Sequence, residues 1–140
     1  MPSRLLSDLA EPVRLAAVAM QGVSLGKLNS KPVTLLIYCT LRSFEEQQEL
    51  YDIGRIVQKN KPILTNCKPG LSLHNPDKNG KSWAFDAVPV VNGVCQWTQA
   101  TLLERMGKAG ESVGLEWAGR WTGSLKETAH FQIREKIYDR

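Results

Sequence analysis

The sequence predicts an α+β fold, in which helices flank a small antiparallel sheet. Two apolar, β-branched runs of strand length, Val33 to Cys39 and Trp83 to Val91, indicate buried strands. Asn92-Gly93 follows the second run and precedes another apolar run, the pattern of a tight β-hairpin. Hairpin patterns outnumber β-α-β patterns along the chain, which favours antiparallel pairing. With 140 residues and an apolar fraction of 42%, we expect a single domain over residues 1–140.

Two helices are expected in the first third of the chain. Residues 3–21 place apolar side chains largely on one helical face, and Pro12 is expected to bend or split this helix. Residues 40–51 predict the second helix. Ser43 is its expected N-cap, and Glu46 three residues later completes a capping box.

The remaining elements are shorter. Residues 54–71 carry Lys, Pro and Gly with little periodicity, which predicts a loop. A helix is expected over 99–109, capped by Thr98 and ended by Gly110. Residues 130–133 predict a short closing strand.

Charge and cysteine content narrow the class of protein. The net charge of +4 suits an anionic partner, although a solvated basic surface explains it equally well. The basic residues are scattered, so no nucleic-acid partner is expected. Three widely spaced cysteines without a CxxC pair exclude a disulfide framework and a zinc ribbon. Cys39 and Cys95 lie in apolar runs and are expected to be buried thiols.

No targeting or membrane segment is expected. Charged residues and Pro12 interrupt the N-terminal apolar residues, so no signal peptide is predicted. No apolar stretch is long enough to span a membrane. We therefore expect a soluble protein that is made in the cytoplasm and does not insert into membranes.

Both histidines of the chain lie near acidic residues. Asp86 follows His74, and Glu127 precedes His130 by three residues. A catalytic zinc site uses three protein ligands, and a further carboxylate can take a proton from the zinc-bound water. The alternatives are that each histidine is an ordinary core or surface residue and that the Glu-x-x-His pair is a surface pair.

Two further features each allow a functional and a purely structural interpretation. Arg42 lies where the first strand gives way to a helix, a place from which side chains often point into a site, although it could equally be a surface arginine. Asn75, Asp77, Asn79 and Gly80 imitate the first half of a calcium loop, and the alternative is a plain Asn-Gly turn.

Several separated motifs occur together in one order along the chain. They are Thr40-Leu41-Arg42-Ser43 with Gln47, Ser72-x-His74, Ala84-x-Asp86, Gly114-Leu115-Glu116-Trp117, Trp121, and Glu127-x-x-His130-Phe131. In this combination the chain resembles the D-alanyl-D-alanine carboxypeptidase / L-alanyl-D-glutamate endopeptidase family of zinc peptidases, and within it the short phage endolysins. The resemblance runs from about Leu5 to Gln132, and it implies the hedgehog/D-Ala-D-Ala-peptidase-like fold.

The resemblance implies a role for each matching position. His74, Asp86 and His130 would bind one Zn²⁺, and Glu127 would be the general base. Arg42 would polarise the scissile carbonyl or hold a substrate carboxylate.

Four more positions would shape the substrate pocket. Ser72 and Gln47 match pocket positions of the motifs, while Trp117 and Trp121 would flank the pocket or serve as core aromatics. The chain departs from the family pattern at Ser82, where Gly is usual, and in an insertion around 76–80. The insertion lengthens the polar loop that carries the calcium-like pattern.

The resemblance implies a zinc-dependent peptidoglycan endopeptidase that cleaves stem peptides at the L-Ala–D-Glu bond. It implies a monomeric phage lysis enzyme that accumulates in the cytoplasm and acts on the cell wall after release. Two alternatives remain open: a D-Ala-D-Ala carboxypeptidase with the same site, and a zinc-binding module without catalysis.

Overall fold

A six-stranded antiparallel sheet forms the centre of the computed structural model, which describes residues 1–65, 67–69 and 71–134. Its strand order is β1-β2-β3-β6-β5, and β4 pairs with β3. The strands are β1 (Lys27–Leu28), β2 (Lys31–Cys39), β3 (Ala84–Val91), β4 (Val94–Cys95), β5 (Glu116–Trp117) and β6 (His130–Gln132). The helices are α1 (Glu11–Gln21), α2 (Phe44–Asp52) and α3 (Ala100–Ser112). The predicted α+β fold class is confirmed.

The two faces of the sheet have different tasks. Successive side chains of a strand point to opposite faces. Phe85 of β3, Phe131 of β6 and Trp117 of β5 are buried on one face, with ring centroids 5.5 Å apart for the two Phe and 6.5 Å for Trp117 and Phe131. They join apolar residues of α1 and α3 in one core. The residues that alternate with them along the strands, including Asp86 of β3 and His130 of β6, therefore point to the other face.

A β-bulge in β2 changes which face the end of this strand presents. Ile37 pairs with Ala87, but Cys39 pairs with Asp86, so Tyr38 is the extra residue. Directly opposed residues share a face, and Ile37 consequently belongs to the core while Cys39 lies beside Asp86. Without the bulge, Cys39 would point to the same face as Ile37.

The predicted capping box of the second helix and the predicted split of the first helix near Pro12 are confirmed. Ser43 caps α2, accepting from the Glu46 backbone N–H at 3.0 Å, while the Glu46 side chain accepts from the Ser43 backbone N–H at 2.8 Å. Pro12 lies in the first turn of α1, and a separate 3-10 turn, Leu6–Asp8, precedes it. The expected N-terminal helix is thus split, because proline has no N–H to donate within a helix.

The second half contains one confirmed turn and two wrong helix boundaries. Thr98 is not the predicted cap, since α3 begins at Ala100 with Gln99 at the N-cap position and no side-chain cap. Asn92 and Gly93 have φ angles of 52° and 78°, as a two-residue hairpin turn with both φ positive requires. The predicted end of the third helix at Gly110 is wrong, since α3 continues to Ser112. A Cβ at Gly110 would lie 2.4 Å from the Phe131 ring, so this glycine permits close packing rather than helix termination. Within the described ranges, no helix is both long and apolar enough to cross a bilayer.

Candidate metal centre

Three donor atoms converge on the sheet face opposite α1 and α3. His74 Nε2 lies 3.1 Å from Asp86 Oδ1 and 3.2 Å from His130 Nδ1, and His130 Nδ1 lies 3.4 Å from Asp86 Oδ1. Asp86 of β3 is directly paired with His130 of β6, which puts their side chains on one face. His74 arrives from the loop before β3, whose backbone is tied to Arg42 by an N–H···O bond of 2.8 Å.

The outer nitrogens of both histidines are already engaged. His74 Nδ1 lies 2.8 Å from the Thr40 carbonyl oxygen, which can only accept, so Nδ1 carries the proton of the neutral ring. His130 Nε2 lies 2.7 Å from the side-chain oxygen of Gln132 and donates to it in the same way. The other nitrogen of each ring, Nε2 of His74 and Nδ1 of His130, faces the Asp86 carboxylate and is the one that a metal ion would bind.

This donor set fits a tetrahedral metal ion. In the metal-free protein a proton on His74 Nε2 bridges to Asp86, and a metal ion would take the place of that proton. Ligands ~2.05 Å from a tetrahedral zinc stand about 3.3 Å apart, which matches the separations of 3.1, 3.2 and 3.4 Å. Although burial by itself would lower it, the Asp86 carboxylate raises the pKa of His74 to about 10. The same pairing holds the pKa of Asp86 far below its usual range against the opposing effect of burial. The cluster therefore attracts positive charge.

Cys39 offers a competing donor that sequence reasoning did not place here. Cys39, His74 and Asp86 also have donor atoms within 4.8 Å of one another. The Cys39 sulfur, however, lies 3.9 Å from His74 Nδ1, the nitrogen that already donates to Thr40. Binding a metal through Cys39 and this nitrogen would break that hydrogen bond, so the set with His130 fits better. Cys39 is a neighbour of the site because of the bulge at Tyr38, which is a feature of the strand pairing that no sequence motif indicated.

Glu127 and Arg42 stand on two sides of the three donors. Glu127 Oε2 lies 3.7 Å from His130 Nδ1, and its side chain is 51% exposed in the cleft. Arg42 Nη2 lies 3.6 Å from Asp86 Oδ2, and its buried Nε–H has no hydrogen-bond partner among the residues that the structure describes. A carboxylate reachable from the cleft and a cation beside the donors suit proton transfer and charge stabilisation respectively.

Gln47 supports Arg42 from beneath instead of lining the cleft. Its side-chain oxygen accepts from Arg42 Nη1 at 2.8 Å, and its amide donates to the Cys67 carbonyl oxygen at 2.7 Å. Gln47 is completely buried in α2. It therefore links Arg42 to the loop that forms one wall of the cleft.

The cleft above the donors has a volume of about 590 Å³. Ser72 and Trp121 line it, as the sequence predicts, and Trp121 lies 5.8 Å from the His130 ring. The expectation that Trp117 flanks the pocket is wrong. Trp117 is 4% exposed in the core, where its indole donates to the Thr128 carbonyl oxygen at 2.8 Å, because alternation along β5 turns it away from the cleft.

The loop with the calcium-like pattern is held by its own hydrogen bonds. The Asp77 carboxylate accepts from the backbone of Asn79 at 2.8 Å and of Lys81 at 2.9 Å, and from the Trp83 indole at 2.7 Å. The buried Asn75 amide donates to the Arg42 carbonyl oxygen at 2.9 Å. These contacts account for Asn75 and Asp77 as residues that shape the loop, and a calcium ion there stays a prediction.

Comparison with known proteins gives consistent results. Residues 67–133 match the family model of D-alanyl-D-alanine carboxypeptidase, a segment that contains His74, Asp86, Glu127 and His130. The chain is 27% identical over 140 residues to the peptidoglycan L-alanyl-D-glutamate endopeptidase CwlK of Bacillus subtilis (strain 168), covering 91% of this chain and 78% of that protein. The crystal structure of the L-Ala D-Glu endopeptidase ChiX of Serratia marcescens shares the fold, with a TM-score of 0.60, 23% identity, and coverage of 96% of this chain and 87% of that one.

Proposed function

We propose that this chain is a peptidase of the D-alanyl-D-alanine carboxypeptidase / L-alanyl-D-glutamate endopeptidase family, which its similarities support, and we propose its substrate and site chemistry. The substrate is the stem peptide of peptidoglycan, and the bond cleaved is L-Ala–D-Glu. The observation that carries the proposal is the convergence of three possible metal-donor atoms beneath a cleft that also contains Glu127. The relative from Bacillus subtilis, named for this bond, supports the choice of bond.

Each residue of the site has a task in hydrolysis. His74, Asp86 and His130 would hold Zn²⁺, which supplies an acidified water and a Lewis acid when bound. Glu127 accepts a proton from the attacking water and passes it to the leaving amine, for which its exposed position beside His130 is suitable. Arg42 stabilises the negative charge that develops on the peptide oxygen. Ser72 and Trp121 contribute to the wall of the cleft.

The first test combines metal removal with a variant of the base. Metal-stripped protein should leave purified peptidoglycan intact, and added zinc should restore its digestion. Glu127→Gln should bind zinc normally yet lose at least about 100-fold in kcat. Mass spectrometry of the digest should show free N-terminal D-Glu on the released peptides. If metal-loaded protein leaves peptidoglycan intact, the substrate assignment is wrong, and a zinc-binding module without catalysis becomes the better interpretation.

The description of the matching family model favours a second candidate, cleavage of the terminal D-Ala-D-Ala bond. Arg42 suits this reaction as well, because a cation beside the donors could hold the terminal carboxylate of the substrate. A pentapeptide stem offered as the only substrate separates the two activities. Release of free D-Ala would establish the carboxypeptidase, while release of L-Ala would establish the endopeptidase.

The setting in which the enzyme acts is a separate proposal. A phage lysis enzyme would accumulate in the producing cell and reach the wall after release, and the net charge of +4 suits adhesion to an anionic wall. Expression in bacteria should then lyse the cells only when the inner membrane is permeabilised. Lysis without permeabilisation would contradict this setting.

A further inference from the structure

The side of His130 that faces away from the metal centre leads into a chain of hydrogen bonds. His130 Nε2 donates to the Gln132 side-chain oxygen at 2.7 Å, and the Gln132 amide donates to Glu116 Oε1 at 3.2 Å. The same carboxylate oxygen accepts from Arg134 Nη2 at 2.7 Å and from the Trp121 indole at 3.1 Å. Glu116 and Gln132 are directly paired between β5 and β6, so the strand register brings them together.

This series of hydrogen bonds runs in one direction, from His130 to Glu116, and the negative charge of Glu116 sets that direction. An ionised carboxylate only accepts hydrogen bonds, so Glu116 requires the NH₂ end of the Gln132 amide. The oxygen of that amide must then face His130 Nε2, which must carry the ring proton. In the neutral ring, Nδ1 is thereby left without a proton and is the nitrogen that can bind a metal ion. His130 is 7% exposed and Gln132 4%, so solvent has little access to replace these partners.

We propose that Glu116 is a positioning residue, which selects Nδ1 of His130 as the metal donor by orienting the amide of Gln132. Glu116 touches neither metal nor substrate. The assignment rests on the metal site under Proposed function and adds a residue to which that function gives no role. Partners that orient a ligating histidine typically contribute 10- to 100-fold to metal affinity, and we expect an effect of that size.

A pair of variants separates orientation from simple packing. Glu116→Gln keeps the shape of the side chain but no longer dictates how the Gln132 amide is turned. The exchange Glu116→Gln with Gln132→Glu restores the direction, since the amide now at position 116 can donate to the carboxylate at position 132, which accepts from His130. Glu111→Gln is the matched control, because Glu111 also pairs with an arginine, Arg120 at 3.0 Å, in an exposed ion pair.

The first measurement is the zinc dissociation constant, determined by competition with a chromogenic chelator. We expect a 10- to 100-fold weaker constant for Glu116→Gln, recovery to within about threefold in the exchange variant, and no change in Glu111→Gln. The second is the ¹⁵N shift pattern of the His130 ring in the metal-free protein. It should show the proton on Nε2 in the unmodified protein and in the exchange variant, and a mixture of tautomers in Glu116→Gln.

The outcomes distinguish this inference from the proposed function. If the unmodified protein does not bind zinc, the proposed metal site itself fails. If it binds zinc and Glu116→Gln does so equally well, Glu116 has no positioning role. Equal loss in Glu116→Gln and the exchange variant would make Glu116 a packing residue and overturn the inference. Should Glu116→Gln not fold, Gln132→Leu interrupts the same chain and should show the same loss of affinity.

Discussion

Replacing Gln47 by leucine tests whether the buried support of Arg42 matters for both stability and catalysis. The substitution keeps the side-chain volume but removes the acceptor of Arg42 Nη1 and the donor to the Cys67 carbonyl. A lost hydrogen bond to a charged group is worth about 1.5–3 kcal/mol, whereas the carbonyl of the exposed Cys67 can accept from water instead. We therefore expect the free energy of unfolding to fall by about 1.5–3 kcal/mol.

The effect on catalysis follows from the position of the guanidinium. Within the described part of the chain Arg42 Nε has no partner, so loss of Gln47 would leave Asp86 and Cys39 as the described contacts of the guanidinium. Misplacing a group that stabilises charge costs up to about 100-fold in rate, and kcat/KM on stem peptide should fall by 10- to 100-fold while the zinc dissociation constant stays unchanged.

The neighbouring residue provides the control. Gln48 lies on the same helix, but its amide donates to Asp52 at 2.7 Å on the exposed surface. Gln48→Leu should cost no more than about 0.5 kcal/mol and leave kcat/KM unchanged. Urea unfolding of the zinc-loaded proteins and initial rates on stem peptide measure both quantities. If the two variants behave alike, Gln47 does not support Arg42 in the way the geometry indicates.

Two more predictions concern packing and pH. Gly110→Ala should lower the free energy of unfolding by about 1–2 kcal/mol despite a better helix propensity, because its Cβ would lie 2.4 Å from the enclosed Phe131 ring; an unchanged urea midpoint would contradict this. His74 has a pKa of about 10 in the metal-free protein, raised by Asp86 against the effect of burial, so it must lose a proton to bind zinc. The apparent zinc affinity should therefore rise about tenfold per pH unit from pH 6.5 to 8.5. Calorimetry in two buffers of different ionisation enthalpy should show about one proton released, and a pH-independent affinity would refute the coupling.

Sequence reasoning succeeded where the signal is local. The capping box of Ser43 and Glu46 and the Asn92-Gly93 turn depend on residues a few positions apart, and both are present. The site residues were found through chemistry and resemblance, because a chain with only two histidines offers few sets of metal donors. Their proximity in the structure agrees with that hypothesis, and their roles stay predictions.

Tertiary structure decided what local patterns leave open. A glycine near the end of a predicted helix suggests that the helix stops there, but α3 continues past Gly110, which packs closely against the Phe131 ring. Trp117 matches a family motif equally well on either face of the sheet, and the alternation along β5 places it in the core.

The metal centre shows the same division between sequence and structure. The small number of histidines in the sequence pointed to the candidate donors and their neighbouring carboxylates. The hairpin patterns predicted the antiparallel class of the fold. The bulge at Tyr38 brought Cys39 beside Asp86, and the pairing of β5 with β6 brought Glu116 to Gln132. Strand register is a property of long-range pairing, and a shift of one residue reverses the face of every side chain. The candidate donors could therefore be named from the sequence, whereas the residues that contact them are set by pairing between distant parts of the chain.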